Sequence, residues 1–188
     1  MKYQLELDPA HTLIGFSAKH LAVTTVRGSF SKYEGTFAVD RENPTDATGE
    51  VKIEVASLST GQEQRDGHLK SADFFEADKY PYISWRVTKV EPQGGDRFKV
   101  TGDLTIKETT KPVTLDVTVE GELDHPMRPG AKMVAVSATG EINRLDYGLN
   151  WDGLAGSIPL ASREIKLSID SELIGTPVGA AEEAANRA

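Results

Sequence analysis

The sequence predicts an all-β domain of eight antiparallel strands with one short helix, and three observations support this fold class. Polar and apolar residues alternate with a period of two along most of the chain. Turn motifs rich in Pro, Gly, Asn and Asp separate the alternating runs. One segment, residues 62–75, departs from the alternation. Long antiparallel strands in succession are typical of a closed barrel or a two-sheet sandwich, and the pattern alone leaves both open.

Each predicted strand has one apolar and one polar face. In the second run the apolar positions change parity, so we expect a bulge or sharp bend at Ser31 or Lys32. The fifth and sixth runs form a hairpin whose turn lies near residues 107–112. The eight predicted strands cover residues 13–19, 26–39, 50–56, 82–90, 98–106, 113–120, 132–142 and 163–173.

The segment that departs from the alternation, residues 62–75, predicts a helix over residues 62–70 that is capped by the Ser and Thr residues at 57–60. Its polar residues are followed by Leu69, Phe74 and Phe75, which we expect to face the sheet. The helix is expected at the mouth of the barrel, and a short turn at His20 would form the other side of that mouth. The length of 188 residues fits one domain, which we assign to residues 1–175, with a flexible or weakly helical tail over 176–188.

Composition excludes several classes of function. The 21 basic residues are outnumbered by 29 acidic ones and are scattered, which argues against binding to nucleic acid. No apolar run approaches the roughly 20 residues that span a bilayer, so no stable membrane insertion is expected. The start of the chain lacks the apolar core of a secretory signal, so we expect a cytoplasmic protein, or a periplasmic one if the native start has been removed.

Sites for metals and catalysis are not expected. The chain has no cysteine, and its four histidines have no spacing typical of metal ligands. No Gly-Xaa-Ser-Xaa-Gly motif is present. We therefore expect neither a metal, nor a cofactor, nor a catalytic residue. The histidines are His11, His20, His68 and His125.

Motifs spread along residues 3–173 together resemble the YceI-like family. Their order and spacing make the resemblance more specific than any single motif. They are Asp-Pro-Ala-His-Thr from Asp8, Gly-Xaa-Phe from Gly28, Arg-Asp-Gly-His-Leu from Arg65, Asp-Phe-Phe from Asp73, Gly-Asp-Leu-Thr-Ile from Gly102 and Arg-Leu-Asp-Tyr-Gly from Arg144.

The resemblance implies an eight-stranded antiparallel lipocalin-like barrel with a short helical lid. It also implies non-catalytic binding, carriage or storage of a polyisoprenoid or similar long-chain amphiphile, such as an isoprenoid quinone or a prenyl lipid. Dimerisation through a strand face is plausible for such a protein, although no isolated apolar stripe demands it.

The inward apolar rows then become the expected ligand-binding wall. On patterning alone, a solid core explains them equally well, and the resemblance favours a cavity. The expected wall residues are Phe16, Phe30, Phe37, Ile53, Val55, Leu69, Phe74, Phe75, Trp85, Phe98, Val100, Leu115, Val117, Ile142, Leu167 and Ile169.

A polar head group needs hydrogen-bond donors at the mouth of such a barrel. For Arg65 and Asp66, a surface ion pair or a helix cap is an equally good interpretation. For Arg144, anchoring of the loop before Gly148 is favoured over ligand contact. Asp66 is expected to orient Arg65, and His20 is expected as a ligand contact at the other side of the mouth. The expected donors are Arg65, His68, Lys107, Arg144 and Trp151.

The ligand must be long for energetic reasons. Each buried CH₂ contributes roughly 0.8 kcal/mol, so one isoprene unit contributes on the order of 4 kcal/mol at most. Association costs about 4 to 15 kcal/mol, and micromolar binding needs about 8 kcal/mol net, so roughly three or more units must be enclosed. Two alternatives stay open: an enzyme for a small hydrophobic substrate with His68 or His20 as general base, and an interaction protein with a solid core.

Overall fold

Eight antiparallel strands close into a barrel, which confirms the predicted fold class. The computed structural model describes residues 1–178. Its strands are β1 (Lys2–His20), β2 (Thr24–Phe30), β3 (Tyr33–Asp40), β4 (Asn43–Glu54), β5 (Leu58–Ser59), β6 (Tyr82–Pro92), β7 (Arg97–Ile106), β8 (Thr109–Asp124), β9 (Lys132–Asn143), β10 (Leu154–Ala155), β11 (Ile158–Pro159) and β12 (Glu164–Pro177). The barrel follows the order β12-β9-β8-β7-β6-β4-β3-β1, and pairing of β1 with β12 closes it.

The long strand β1 closes the barrel by a change of partner along its length. Its first half pairs with β3 and its second half with β2, while β12 pairs with both halves. The register to β12 shifts between Leu7 and Thr12, where Pro9 cannot donate to a ladder. This bulge interrupts the alternation, and for that reason the predicted start of the first strand at residue 13 was wrong by eleven residues.

The second predicted run, residues 26–39, is two strands rather than one. The chain leaves the ladder at Ser31 and Lys32, which is where the change of parity predicts a bend. Both backbone amides donate to the Ser57 hydroxyl, at 3.2 and 3.1 Å, so the side chain of Ser57 replaces the missing ladder partners.

The last strand is longer than predicted. Pro177 pairs with Tyr3 and Thr176 with Gln4, so the first two residues of the predicted tail belong to the barrel. The rest of the predicted tail, from residue 179, lies outside the described residues.

The helix α1 (Glu63–Lys70) matches the predicted segment within one residue. Its N-cap is Gln62, whose side chain accepts a hydrogen bond from the Arg65 amide, so the expected capping from residues 57–60 was wrong. Two 3₁₀ turns, Val55–Ser57 and Arg144–Tyr147, flank the same end of the barrel. Within residues 1–178, no helix combines the length and apolar content needed to cross a membrane.

The antiparallel order divides the connections between two ends of the barrel. We call one end the mouth: it carries α1, the turn at residues 21–23, the β7–β8 turn and the loop at 148–163. We call the other end the floor: it carries the β3–β4, β6–β7 and β8–β9 turns. The helix therefore lies at one end only, as expected for a lid.

Candidate functional site

The barrel is hollow. Its interior holds a cavity of about 960 Å³, near the top of the range of roughly 300 to 1,000 Å³ that is typical of small-molecule sites. The lining comes from all eight barrel strands and from α1, and it is predominantly apolar. A core in which the inward side chains fill the barrel, which the pattern alone permitted, was therefore wrong.

Glycines opposite large side chains keep the interior open. Phe16 pairs with Gly28 and Phe37 pairs with Gly49 across neighbouring strands. A methyl group built on either glycine would overlap the ring opposite it. The rings therefore lie flat against neighbouring backbone instead of projecting into the lumen.

The indole of Trp85 repeats this arrangement on β6 and β7. It covers Gly102, where an added methyl group would overlap the indole ring. The Trp85 Nε1 atom is buried and has no hydrogen-bond partner among the described residues. This arrangement places a large aromatic surface along the cavity wall without filling the cavity.

Most of the predicted wall residues line the cavity. They are Phe16, Phe30, Phe37, Ile53, Leu69, Phe74, Phe75, Trp85, Phe98, Val100, Leu115, Val117, Ile142, Leu167 and Ile169, together with the polar residues His20, Arg65 and Arg144. Sequence reasoning missed the lining residues of the first half of β1, Tyr3, Leu5 and Leu7. Their alternation is visible in the sequence and could have identified them.

Two expected ligand contacts, Val55 and Lys107, lie outside the cavity lining because each belongs to a turn at the mouth. Val55 is in a 3₁₀ turn and is only 1% exposed, packed in the core beneath the mouth. Lys107 lies in the β7–β8 turn with a positive φ of 55°. Neither side chain borders the cavity.

His68 and Trp151 also lie outside the lining, and they connect α1 to the loop at 148–163. The His68 ring meets the Trp151 ring edge-on with centroids 4.9 Å apart, and Phe74 packs against both. The His68 Nε2 atom lies 2.8 Å from Asp73 Oδ2. These contacts tie α1 to the loop at 148–163.

The expected pairing of Arg65 with Asp66 runs through a third residue. Arg65 donates from Nε to the Thr60 hydroxyl at 2.7 Å, and that hydroxyl donates to the Asp66 carboxylate. Burial acts to raise the pKa of Asp66, but hydrogen bonds from Thr60 and Ser59 outweigh it and leave that pKa below its ordinary value. Asp66 lies outside the lining, whereas Arg65 borders the cavity.

Arg144 is a buried anchor for the loop at 148–163, the interpretation that the sequence favoured, and it also borders the cavity. Its side chain is 3% exposed. It donates to four backbone carbonyls, those of Leu149, Trp151, Ala161 and Ser162. Burial lowers the pKa of Arg144.

Ion pairs link the strands at the floor. Arg41, in the β3–β4 turn, lies 3.0 Å from Glu122 on β8. Strands β3 and β8 lie on opposite sides of the barrel. Lys132 on β9 lies 3.5 Å from Glu122 and 2.7 Å from Asp124. Opposite charges therefore meet where the cavity ends.

A polar cluster at the β1 bulge escaped the sequence argument, which compared histidines only with one another. Possible ligand atoms of Asp8, His11 and Glu172 lie within 4.8 Å of one another. His11 Nδ1 lies 2.8 Å from Asp8 Oδ2, and this contact lowers the pKa of Asp8 and raises that of His11. The contact bridges the two ends of the bulge.

Comparisons with known proteins agree on one family. The family model described as YceI-like domain matches residues 5–173. Protein YceI of Escherichia coli O157:H7 is 35% identical over 170 residues, which cover 90% of this chain and 85% of that protein.

Solved structures share the barrel. The Campylobacter jejuni YCEI protein is 30% identical, with a TM-score of 0.70 over 82% of this chain and 87% of that one. A polyisoprenoid binding domain from Saccharophagus degradans, implicated in plant cell wall breakdown, is 17% identical, with a TM-score of 0.62 over 92% of this chain and 98% of that one. At that identity the likeness concerns the fold alone.

Proposed function

Because this chain belongs to the family of YceI-like domains, we propose that it binds a long-chain polyisoprenoid amphiphile inside its barrel and carries or stores it without transforming it. The observation on which the proposal rests is the hollow, apolar interior of about 960 Å³. The polyisoprenoid binding domain from Saccharophagus degradans, which has a similar barrel, supports this class of ligand.

The shape of the cavity favours a long ligand over a compact one. Its lining includes Arg65 and His20 at the mouth and Arg41 and Lys132 at the floor, so it runs the length of the barrel. Enclosing roughly three or more isoprene units offsets the cost of association. A ligand that extends from the mouth towards the floor uses this length.

The placement of the two candidate bases supports binding without catalysis. His68 Nε2 faces Asp73 outside the cavity lining. His20 borders the cavity, but its Nδ1 atom donates to the Leu160 carbonyl at 2.9 Å, and no carboxylate within 4.0 Å among residues 1–178 orients it. The carbonyl holds the ring in the tautomer whose Nε2 atom is unprotonated, and among residues 1–178 this nitrogen bonds to no hydroxyl or carboxyl group that it could activate.

The experiment compares two tryptophan substitutions at neighbouring positions of β9. Ala138 lines the cavity, whereas Thr139 is exposed on the outer face. The protein and both variants are purified from the same host, and organic extracts are analysed by mass spectrometry. We expect a prenyl lipid from the protein and from Thr139→Trp, and at least about tenfold less from Ala138→Trp, because the indole occupies the lumen.

Reloading with geranylgeraniol makes the test independent of the host. Equal loading of both variants would place the ligand outside the barrel. Failure of the parent protein to take up any prenyl compound would overturn the proposed function.

A further inference from the structure

We propose that one side of the mouth docks reversibly on the surface of an anionic lipid bilayer. This side, which we call the apolar rim, consists of the turn at residues 21–23 and the hairpin formed by β10 and β11. Docking concerns the outer surface of the protein and requires no ligand in the barrel, so it goes beyond the proposed function. Three features of the rim support it: exposed aliphatic side chains, a hairpin with two uncovered faces, and a local charge opposite to that of the whole chain.

The apolar rim exposes three large aliphatic side chains. Val23 is 75% exposed, Leu154 57% and Ile158 46%. The turn and the hairpin form one surface, because the Leu21 amide donates to the carbonyl of Leu160 at the base of the hairpin. Single exposed apolar residues are common on soluble proteins, whereas a group of them on one surface marks a site of interaction.

The hairpin is uncovered on both faces. Within residues 1–178, β10 and β11 pair only with each other. Leu154 pairs with Pro159 and Ala155 pairs with Ile158, so the side chains of Leu154 and Ile158 lie on opposite faces. All residues from 154 to 159 are exposed, and none of them is charged. A rigid protein surface covers one face of such a hairpin, whereas the fluid interface of a bilayer surrounds it and buries both.

The turn at residues 21–23 presents apolar side chains in an unfavourable backbone conformation. Leu21 and Ala22 have positive φ angles of 51° and 59°, in a region that glycine and asparagine adopt more readily. Ala22 and Val23 are exposed, so packing within the protein does not explain why apolar residues occupy these positions. Contact with a lipid surface does.

The charge around the apolar rim is opposite to that of the whole chain. Residues 19–27 and 148–163 contain three basic residues, Lys19, Arg27 and Arg163, and one acidic residue, Asp152, whereas the net charge of the chain is −8. Among residues 1–178, none of the three basic side chains has a carboxylate within 4.0 Å. Lys19 Nζ bonds instead to the neutral hydroxyl of Thr25 at 2.8 Å. These charges are therefore free to meet the phosphates of an anionic bilayer.

The floor also exposes apolar side chains, but it does so among carboxylates. Leu123 and Met127 are exposed there. The floor turns, residues 40–46, 91–97 and 120–132, contain eight acidic and four basic residues. The Debye length is about 8 Å at physiological salt, so a bilayer interacts mainly with the charges nearest to it. An anionic bilayer therefore attracts the rim and repels the floor.

The docking is reversible, because the apolar contact is small. The three aliphatic side chains together carry less hydrocarbon than one myristoyl chain, which alone binds a membrane only marginally. The basic residues must therefore contribute, and a neutral bilayer should bind the protein weakly. Lys19, His20 and Leu160 border the cavity, so docking of the rim brings the opening of the barrel to the lipid surface.

Vesicles of two compositions test the docking. One contains phosphatidylcholine alone, and the other contains about 30% phosphatidylglycerol, which gives an anionic surface. The protein is mixed with each at about 0.15 M NaCl, and the bound fraction is measured by flotation through a density gradient. We expect the affinity for the anionic vesicles to be at least about fivefold higher than that for the neutral vesicles.

Matched substitutions at the two ends locate the contact. Leu154→Ser should lower the affinity for anionic vesicles about threefold to tenfold, and its combination with Ile158→Ser should lower it further, because less apolar surface enters the bilayer. Leu123→Ser, the same change at the floor, should leave the affinity unchanged. Arg27→Gln should lower it about threefold to fivefold, whereas Arg97→Gln, at an exposed position of the floor, should not. Thermal unfolding of each variant verifies that the barrel is intact.

A second copy of the chain is the competing occupant of the rim, and sedimentation velocity detects it. A dimer of the parent protein that becomes a monomer in the variant with both Leu154→Ser and Ile158→Ser would assign the rim to a contact between copies and overturn the docking. Absence of binding to anionic vesicles would overturn it as well, and so would equal losses in Leu154→Ser and Leu123→Ser.

Uptake of geranylgeraniol, measured separately, distinguishes the two proposals. If docking fails while the protein still takes up this compound, the proposed function stands and only the docking is overturned. If the protein docks but takes up no prenyl compound, only the proposed function is overturned.

Discussion

The two ends of the barrel use charge in opposite ways. At the floor, Arg41 and Lys132 lie 3.0 and 3.5 Å from Glu122, so basic side chains there are paired with a carboxylate. At the mouth, Arg65 and Arg144 are held by hydroxyl and carbonyl oxygens, and the nearest carboxylate is 3.8 Å from Arg144. Both ends carry basic residues, and only their partners differ.

The difference shows how basic residues at two ends of one barrel can present different amounts of unneutralised charge. A neutralised pair has little charge left to offer a ligand, and in contact with solvent it contributes little to stability. A basic group held by neutral oxygens keeps a positive charge that no carboxylate neutralises. Position and pairing, rather than composition, therefore distinguish the two ends of the barrel.

The largest loss of stability is expected when Arg144, the anchor of the loop at 148–163, is replaced. Arg144→Met removes the donors to four backbone carbonyls, and each buried acceptor left unpaired costs about 1 to 3 kcal/mol. Because the loop can rearrange in part, we expect a loss of about 3 to 5 kcal/mol in the free energy of unfolding, measured by urea denaturation.

Arg41→Met is the matched control at the floor. The Arg41 side chain is 52% exposed, so we expect a loss of about 0 to 1 kcal/mol. Equal losses in the two variants would contradict the contrast between the ends.

A smaller loss of stability is expected from a substitution in the wall of the lumen between the two ends. Gly102→Ala places a methyl group against both the indole of Trp85 and the backbone carbonyl of Arg86, so the ring is pushed towards the lumen and the strand backbone must also shift. We expect a loss of about 1 to 3 kcal/mol in the free energy of unfolding and a reduced yield of extractable prenyl lipid.

Gly121→Ala on β8 is the control, because an added methyl group there meets no atom within 4 Å. Its stability should change by about 0.5 kcal/mol or less. An unchanged lipid yield in Gly102→Ala would show that Trp85 does not keep the lumen open.

The smallest effect concerns stability in acid. The pKa of Asp66 at the mouth is below its ordinary value because hydrogen bonds from neutral donors outweigh burial. The pKa of Asp124 at the floor is lowered by a hydrogen bond from Lys132 and by the charge of that residue. In both cases the stabilisation is present above the unfolded-state pKa, near 3.9, and is lost as the pH falls through the lower folded-state pKa.

Added salt should distinguish the stability contributed by Asp66 from that contributed by Asp124. The stability difference between the protein and Asp124→Asn should largely disappear in about 1 M NaCl, where the Debye length is about 3 Å. The difference for Asp66→Asn should largely persist, because its hydrogen-bond donors, Thr60 and Ser59, are uncharged and the charge of Lys70 is the smallest of the causes. Urea unfolding from pH 7 to pH 2 at both salt concentrations measures this, and equal salt dependence would contradict the assignment.

Much of the fold could be predicted from local pattern. Alternation located the strands, the change of parity located the break at Ser31 and Lys32, and α1 was found within one residue. The first half of β1 alternates visibly, but it was missed because the bulge after Leu7 separates it from the second half, and only the shared pairing with β12 shows that the two halves form one strand. A period-two pattern reports which faces are apolar but not which strands are joined.

The candidate site was predictable only in part. The inward rows were correct for most positions, whereas Val55, His68 and Trp151 are drawn into local packing that no pattern indicates. Whether Arg65 and Asp66 form a direct pair depended on Thr60, five residues before Arg65 and oriented by the turn that precedes the helix.

The sequence by itself determined the strands, the helix, the apolar faces and the family, because all of these depend on the order of residues along the chain. Only the tertiary structure decided that the barrel is hollow, and that the basic residues bordering the cavity meet carboxylates at the floor but mainly neutral oxygens at the mouth. The reason is physical: Phe16 lies over Gly28 and Arg41 reaches Glu122 through the register and closure of distant strands, and closure brings together residues that the sequence keeps apart.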